Sequence, residues 1–529
     1  MIYTLTHILD ASAQRYPHHP AMRCNGVAMS YAHWHRRAGA LAAALIEQGV
    51  RPGDRVGIYL NKSLETAVAI YGIWMAGAAY VPLDPLAPAP RLIFALNDCD
   101  VRHLVTQHHK AAAVRELAGQ SQLTHVIGIA QDQLPAPLHS LTWAEVDGAG
   151  AAAPKLRITE QDLAYVMYTS GSTGTPKGLM HTHHSGLSYA QLSADLYDLR
   201  HEDILSNHSP LHFDMSTFDF FSGPLRGATT VIIPEAVTKL PASMSKLVQD
   251  ERITVWYSVT TAIVQMVLRG ALDKRDFSAL RWLNYGGEPF PPAHLRAFMQ
   301  RFPHVRVSNV YGPAEVNQCT FYHLDAPPDD DESIPIGEVW ANSEGVLLGD
   351  DDLLVADGEI GELAVRTPTM MRGYWGRPDL NAKAFYLRNV FEHYQDRFYR
   401  TGDLMKRDSL GRLRFFGRKD RQVKTRGYRV ELDEVENALG SQPEVGECAV
   451  YAVPDGEGSS LIEAAVIAKR EVAFDVAALR AALAGRLPAY ALPHAIRVMD
   501  DFPRTGTGKI DRRALRDLAL GAVVDAERA

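Results

Sequence analysis

The segment YTSGSTGTPKG, Tyr168 to Gly178, gathers hydroxyl side chains, glycines and one lysine directly behind LAYVM, an apolar run with the character of a buried strand. Ser170, Ser172, Thr173 and Thr175 are hydroxyl donors, Gly171 and Gly174 let backbone amides approach an anion, and Lys177 adds a positive charge. These are the parts of a phosphate-binding loop. The separation of Gly171 from Lys177 imitates part of the pattern G-x-x-x-x-G-K-[ST], but Pro176 stands where the second glycine must be and Gly178 where the magnesium-holding hydroxyl must be. A Walker loop is therefore excluded. A dinucleotide fingerprint is excluded as well, because G-x-G-x-x-G is absent and Pro176 would obstruct the start of a helix. A phosphate loop of another construction and a plain glycine-rich turn both remain open.

Two further segments carry charge in unusual settings. GRKDRQVKTRGYR, Gly417 to Arg429, holds six Lys or Arg residues in thirteen positions against one acid, which suits either an anionic ligand in a cleft or a solvated basic linker. PRTGTGKID, Pro503 to Asp511, places Lys509 on a second Gly/Thr-rich loop. The histidines His181, His183, His184, His208 and His212 invite a metal reading, but Pro210 separates His208 from His212 on any helix face, and no cysteine or carboxylate completes a ligand set. Hydrogen bonding near a pocket is the expected use of His212.

The elements that must position these residues follow from hydrophobic periodicity. YAHWHRRAGALAAALIEQG has helical spacing and VGIYL that of a strand. LETAVAIYGIWMAGAAYVPLDP reads as a helix closed by Gly77 and followed by a strand, and HLVTQ, HVIGI and AYVMY are further short strands. Such alternation predicts an α/β fold with helix-covered sheets. DGAGAAAP, Asp147 to Pro154, reads as a linker. Beyond the basic segment the pattern restarts as a small α+β unit: helix VELDEVENALG, strands CAVYAV and LIEAAVIA, helix AALRAALAGRL. A boundary near Asp420 divides the chain into a large unit, 1–419, and a small one, 420–529.

Bulk properties narrow the function classes. With 529 residues the chain exceeds a single core, and a formal charge of -8 gives no reason to expect nucleic acid or an anionic membrane as partner. Four cysteines, Cys24, Cys99, Cys319 and Cys448, lie far apart without a CxxC pair, so neither a disulfide framework nor a zinc cage is expected, and the reducing cytoplasm is the expected compartment. The N-terminus has helical spacing at Leu5, Ile8 and Leu9 rather than a signal peptide, and no apolar run reaches the roughly 18 residues of a membrane span.

The phosphate loop is followed in order by HFDMSTFDFFSGPLRGA (from His212), NYGGEPF (from Asn284), NVYGPAEVNQC (from Asn309), GELAVRTPTMMRGYWGRPD (from Gly361), RFYRTGDL (from Arg397), GRKDRQVKTRGYRVELDEVE (from Gly417) and PRTGTGKIDRRAL (from Pro503). Together these resemble the adenylate-forming enzymes, comprising acyl-CoA synthetases, luciferases and the adenylation domains of nonribosomal peptide synthesis, across nearly the whole chain. YGPAE, GYWGRPD and QVKTRGYRVELDEVE are most similar to the amino-acid-activating branch. The resemblance implies a large N-terminal domain and a small mobile C-terminal domain. It implies ATP as co-substrate, magnesium, and a thiol on a phosphopantetheine arm as final acceptor.

Its residue assignments are these. Thr169, Ser170, Gly171, Ser172 and Thr173 with Lys177 would hold the β- and γ-phosphates, and Glu315 would be the magnesium-linked carboxylate. Asn309, Tyr311 and Gly312 belong to the nucleotide site, with Tyr311 offering a face to adenine, while Asp403 would accept both ribose hydroxyls and Arg418 would reach the ribose. Lys509 would stabilise charge between the α-phosphate and the attacking carboxylate, Lys424 would serve the thiol step on the other face of the small domain, and Asp420 matches the hinge. Asp214 matches the aspartate that binds a substrate ammonium, a counter-charge that such an anion needs. Met215, Phe218, Tyr257, Asn284, Gly286, Val310, Gln318 and Cys319 match the remaining pocket positions. With no charge besides Asp214, this lining predicts a neutral substrate side chain. Gly286 is expected to leave depth, and Asn284 and Gln318 bond either a polar side chain or backbone groups. Ala314 replaces a commoner threonine.

No unit bearing a phosphopantetheine serine follows Lys509, so the expected acceptor is a separate carrier protein. The leading expectation is a freestanding amino acid–carrier protein ligase. The alternatives are an acyl-CoA synthetase for a small acid, separated by Asp214, and a non-catalytic ligand-binding paralogue, opposed by Lys177, Asp403 and Lys509. Nothing supports a luciferase-like oxygenase.

Overall fold

LETAVAIYGIWM is apolar on every side, and a helix of that kind must be covered all round. In the computed structural model, which describes residues 1–150, 154–171, 175–469, 474–505 and 509–528, it forms the helix Leu64–Met75, in which Thr66 to Met75 are all buried. Tyr71, Trp74 and their neighbours share one core with residues of two different sheets, Tyr80 and Val105 from one and Met22 and Ile232 from the other. Gly77 ends this helix segment at φ +77, against Pro52.

The first sheet has eight strands in the order Gly373–Tyr374, β2 (Lys177–Thr182), β1 (Leu163–Thr169), Ala79–Pro82, Arg55–Tyr59, His103–Thr106, His125–Ile127, His139–Leu141. Its members pair in parallel except where β2 meets β1 and Gly373–Tyr374. The second sheet has nine strands, with β3 (Val255–Val259), β4 (Trp282–Gly286) and β5 (Arg306–Tyr311) side by side and parallel near one end. A third, antiparallel sheet of five strands contains β6 (Tyr394–Arg407), which pairs with Leu413–Arg418. The structure is thus mixed α/β, as expected.

After Arg418 the strands pair, among the described residues, only with one another. β7 (Gln422–Thr425) and β8 (Tyr428–Glu431) form a hairpin, and Val445–Pro454, Ser460–Ala468 and Ala495–Val498 form a separate three-stranded sheet. The helix expected from Val430 begins instead at Leu432, because Val430 and Glu431 pair with Val423 and Gln422 and extend the hairpin. The two-residue turn has Arg426 at φ 51 and Gly427 at φ 83, the pairing of left-handed residues that matches strand twist. Among the described residues no helix is long and apolar enough to cross a membrane.

Candidate functional site

The ends of β1, β3 and β5, the segment around Asp214 and the β7–β8 hairpin meet around one cleft. Its lining includes Thr169, Ser170, Asp214, Met215, Tyr257, Val310, Tyr311, Gly312, Gln318, Asp403, Arg418, Lys424 and Arg429. Parallel strands open such a crevice at their carboxyl ends.

The phosphate-loop candidates flank this cleft. Thr169 closes β1 opposite Lys177, which opens β2. Ser170 donates its hydroxyl to the carbonyl of Arg429 at 3.1 Å, and the Thr169 hydroxyl is buried without a partner among the described residues. Ser172 and Thr173 lie outside the described residues, as does Gly174. A side chain at Gly171 would collide with the Thr175 carbonyl, so glycine is required by close approach.

Glu315 is the centre of charge. Its fully buried carboxylate lies 2.6 Å from the Arg429 guanidinium and 3.6 Å from the Lys177 ammonium, and it accepts the Tyr374 hydroxyl at 2.9 Å. Burial by itself would raise the Glu315 pKa, but Arg429 first and Lys177 second outweigh it and hold the group well below the usual carboxylate range. Lys177 also lies 5.0 Å over the Tyr374 ring. The 314–315 backbone is held from behind by His181, whose Nε2 is 3.0 Å from the Ala314 carbonyl while its ring stacks on Tyr165. Burial pushes the His181 pKa down to about 4, so it is neutral at physiological pH.

On the opposite wall Tyr311 donates its hydroxyl to Asp403, and Arg418 pairs with the same carboxylate. Arg418 also forks onto Asp420 at 2.6 and 2.8 Å, which ties the expected hinge residue to this wall. Asn309 does not line the cleft: it donates its amide to the Pro335 carbonyl at 2.8 Å, a structural contact.

Asp214 is recessed in the cleft, where its carboxylate accepts the Met215 amide at 3.0 Å. Desolvation pushes its pKa up to about 6, with the Met215 amide and Lys424 opposing. Lys424 lines the same cleft, and its ammonium makes no ion pair or side-chain hydrogen bond among the described residues. Desolvation lowers its pKa, with Asp403 opposing. Lys509 stands outside this cleft with an exposed side chain, so the arrangement presents Lys424 and withdraws Lys509.

The expected pocket positions divide in two. Met215, Tyr257, Val310 and Gln318 line the cleft, whereas Phe218, Asn284, Gly286 and Cys319 lie behind it. Gly286 does not leave depth, because a Cβ there would meet the Val310 carbonyl at 2.4 Å, so a neighbouring strand's backbone fills that space. Gln318 caps no backbone group among the described residues: it donates to the Tyr197 hydroxyl at 3.1 Å. His212 likewise makes no hydrogen bond through either nitrogen among the described residues, contrary to expectation, although Asp84 is 3.7 Å from its Nε2.

Arg429, Tyr374 and His181 were not assigned from sequence. Arg429 had a signal in the RGYR of the basic segment. For Tyr374 and His181 nothing local betrays a partner in a distant segment. The hairpin tip is seated by Gly427, whose amide donates to Glu288 at 3.1 Å and whose missing Cβ would lie 2.7 Å from Val259. Next to it Tyr428 stacks on Tyr490 at 3.9 Å. Arg91 joins this part of the cleft and pairs with Glu434 at 2.6 Å across the two units.

Comparison with known proteins agrees with this architecture. Residues 9–375 match the model of the AMP-binding enzyme family, and residues 434–509 that of the AMP-binding enzyme C-terminal domain. An L-proline–[L-prolyl-carrier protein] ligase of Pseudomonas fluorescens is 33% identical over 505 residues, covering 95% of this chain and 97% of that protein. A ligase of the same description from Streptomyces coelicolor is 34% identical over 496 residues, covering 92% and 91%. Among solved structures, the Vibrio cholerae adenylation domain AlmE in complex with glycyl-adenosine-5'-phosphate superposes with a TM-score of 0.86 at 23% identity, covering 98% of each chain, a likeness of fold.

Proposed function

The chain belongs to the AMP-binding enzyme family, and on that premise we propose that it is an AMP-forming ligase that activates an amino acid and passes it to the phosphopantetheine thiol of a separate carrier protein. The observation that carries this reading is Asp214, an acid recessed in an otherwise cation-rich cleft, where a substrate α-ammonium supplies the missing counter-charge. The proline–carrier protein ligases to which the chain is similar support the acceptor.

In the first half-reaction an amino acid carboxylate oxygen attacks the α-phosphorus of ATP, the bond to the pyrophosphate oxygen breaks, and aminoacyl-AMP forms. Catalysis of such a step is positioning and charge neutralisation. The 169–177 loop with Lys177 holds the leaving pyrophosphate, Tyr311, Gly312, Asp403 and Arg418 hold the nucleoside, and Lys509 enters the cleft after rotation of the 420–529 unit about Asp420. Glu315, a hard oxygen ligand that faces Lys177 of the phosphate loop, would be the residue to hold magnesium. When bound it supplies neutralising charge to the phosphates. In the described arrangement Arg429 takes the Glu315 carboxylate. In the second half-reaction the thiol sulfur attacks the acyl carbonyl, the bond to the AMP oxygen breaks, and AMP leaves. Lys424 and the β7–β8 hairpin, already in the cleft, belong to this half.

The test is ATP–pyrophosphate exchange across amino acids and deaminated analogues, followed by mass measurement of a holo carrier protein. Exchange dependent on an amino acid and a matching mass gain on the carrier support the reading. Exchange confined to acids lacking an α-amine, with transfer to coenzyme A, replaces it by an acyl-CoA synthetase.

A further inference from the structure

Glu288 lies just beyond the carboxyl end of β4 and is buried, yet its carboxylate makes no ion pair among the described residues. A desolvated carboxylate without a cation depends on hydrogen-bond donors. Three converge on it. The Thr261 hydroxyl, on the helix Thr260–Arg269, donates to one oxygen. The other oxygen accepts the Gly427 amide at 3.1 Å and the Ser459 hydroxyl at 2.7 Å, both from beyond Asp420. The neighbouring Arg426 amide donates to the same Ser459 oxygen at 2.7 Å. The two left-handed residues of the β7–β8 turn thus aim consecutive amides at one anion, directly from Gly427 and by way of Ser459 from Arg426, as in a backbone anion nest.

The donor Ser459 is itself held in place. Asp455 accepts the amides of Glu457 and Ser459 at 2.8 Å each, which closes the 455–459 turn. Gly458, at φ +97, lets this turn lie against Pro291, which a Cβ would meet at 2.4 Å, and Glu457 accepts from Arg269 at 2.8 Å and from Gln265. Two separate turns beyond Asp420 are therefore gathered on one side chain that precedes it. We propose that Glu288 is a positioning residue of the thiol step, a latch that holds the β7–β8 hairpin where it presents Lys424 and releases it for adenylate formation. Rotation of the 420–529 unit about Asp420 carries Gly427 and Ser459 away from Glu288, so their two bonds belong to one arrangement alone. Because the donors are an amide and a hydroxyl, their departure strands no second charge, as the breaking of a buried salt bridge would. This inference rests on the reading of the cleft as the site of two half-reactions.

The experiment compares single-turnover transfer from aminoacyl-AMP to a holo carrier protein with ATP–pyrophosphate exchange, both by the full-length enzyme. Glu288→Ala is expected to slow transfer by about tenfold or more and to leave exchange within about twofold of wild type. Glu288→Gln keeps an acceptor oxygen for Gly427 and Ser459 and is expected to retain transfer within about threefold. Ser459→Ala is expected to slow transfer by about threefold or more alone but to add less than about twofold to Glu288→Ala, since the two share one contact. If Glu288→Ala is insoluble, Ser459→Ala and Glu288→Gln decide. Unchanged transfer in Glu288→Ala or Ser459→Ala, equal losses of transfer and exchange, or a loss in Glu288→Gln as large as in Glu288→Ala overturns the latch. A wild-type enzyme that loads coenzyme A instead of a carrier overturns the carrier reading alone, and the same ratios are then measured on the coenzyme A thioester.

Discussion

At the residue scale, the cleft contains two kinds of ionisable group. Glu315 has strong partners and is locked as an anion, whereas Asp214 is desolvated, has only the Met215 amide as a direct partner among the described residues, and has its pKa pushed up to about 6. Its raised pKa means that the anion is present above about pH 6 and is lost as pH falls through that value. KM for the amino acid is therefore expected to rise toward tenfold per pH unit below about 6. Steady-state exchange kinetics between pH 5 and 8 check this, and Asp214→Asn should abolish the dependence along with the preference for amino acids over deaminated analogues. The two lysines are expected to separate the half-reactions. Lys509→Ala is expected to lower pyrophosphate exchange by about 100-fold or more, while Lys424→Ala is expected to slow carrier thioester formation more than exchange. Equal losses in both steps for Lys424→Ala would refute the division.

The β7–β8 hairpin is the element that brings Lys424 and Arg429 into the cleft. Its turn needs two left-handed residues, and its tip approaches Val259 so closely that only glycine fits at position 427. From that seat Arg429 reaches Glu315, and the Arg429 carbonyl accepts the Ser170 hydroxyl. Gly427→Ala adds a methyl into Val259 and forces an L side chain into positive φ, so it is expected to slow thioester formation by about tenfold or more. Rapid-quench measurement of carrier loading, set against the exchange rate, shows whether the loss is confined to the second half-reaction.

For the whole molecule, the two units are held by contacts that local sequence cannot announce. Arg91 and Glu434 form a nearly buried ion pair, and Glu288 accepts hydrogen bonds from Ser459 and from the Gly427 amide. Removing one partner of a buried pair leaves the other charge desolvated. A double-mutant cycle on thioester formation with Arg91→Ala and Glu434→Ala is expected to give a coupling energy of about 1 kcal/mol or more. Additive effects would show that this contact does not stabilise the arrangement in which Lys424 occupies the cleft.

Local order was legible because its causes are local. The apolar run LETAVAIYGIWM forecast a helix, and Pro176 and Gly178 removed the Walker reading from the phosphate loop. The motif order from Tyr168 to Leu515 also brought out the family and the roles expected of Asp214, Glu315 and Lys509. Other features waited for the fold. Val430 and Glu431 left the helix because a partner strand was available. Gly286 lost its expected depth to the Val310 carbonyl of another strand. Asn284, open between two uses in the sequence, lay buried without a partner among the described residues, and Arg429 met a carboxylate 114 positions away. Sequence by itself determined the elements, the chemistry available and the family, since these depend on short-range pattern and residue type. Only tertiary structure decided which lysine faces the cleft, which carboxylate is paired and which polar group is left unmatched, because burial and charge pairing arise between segments far apart in the chain.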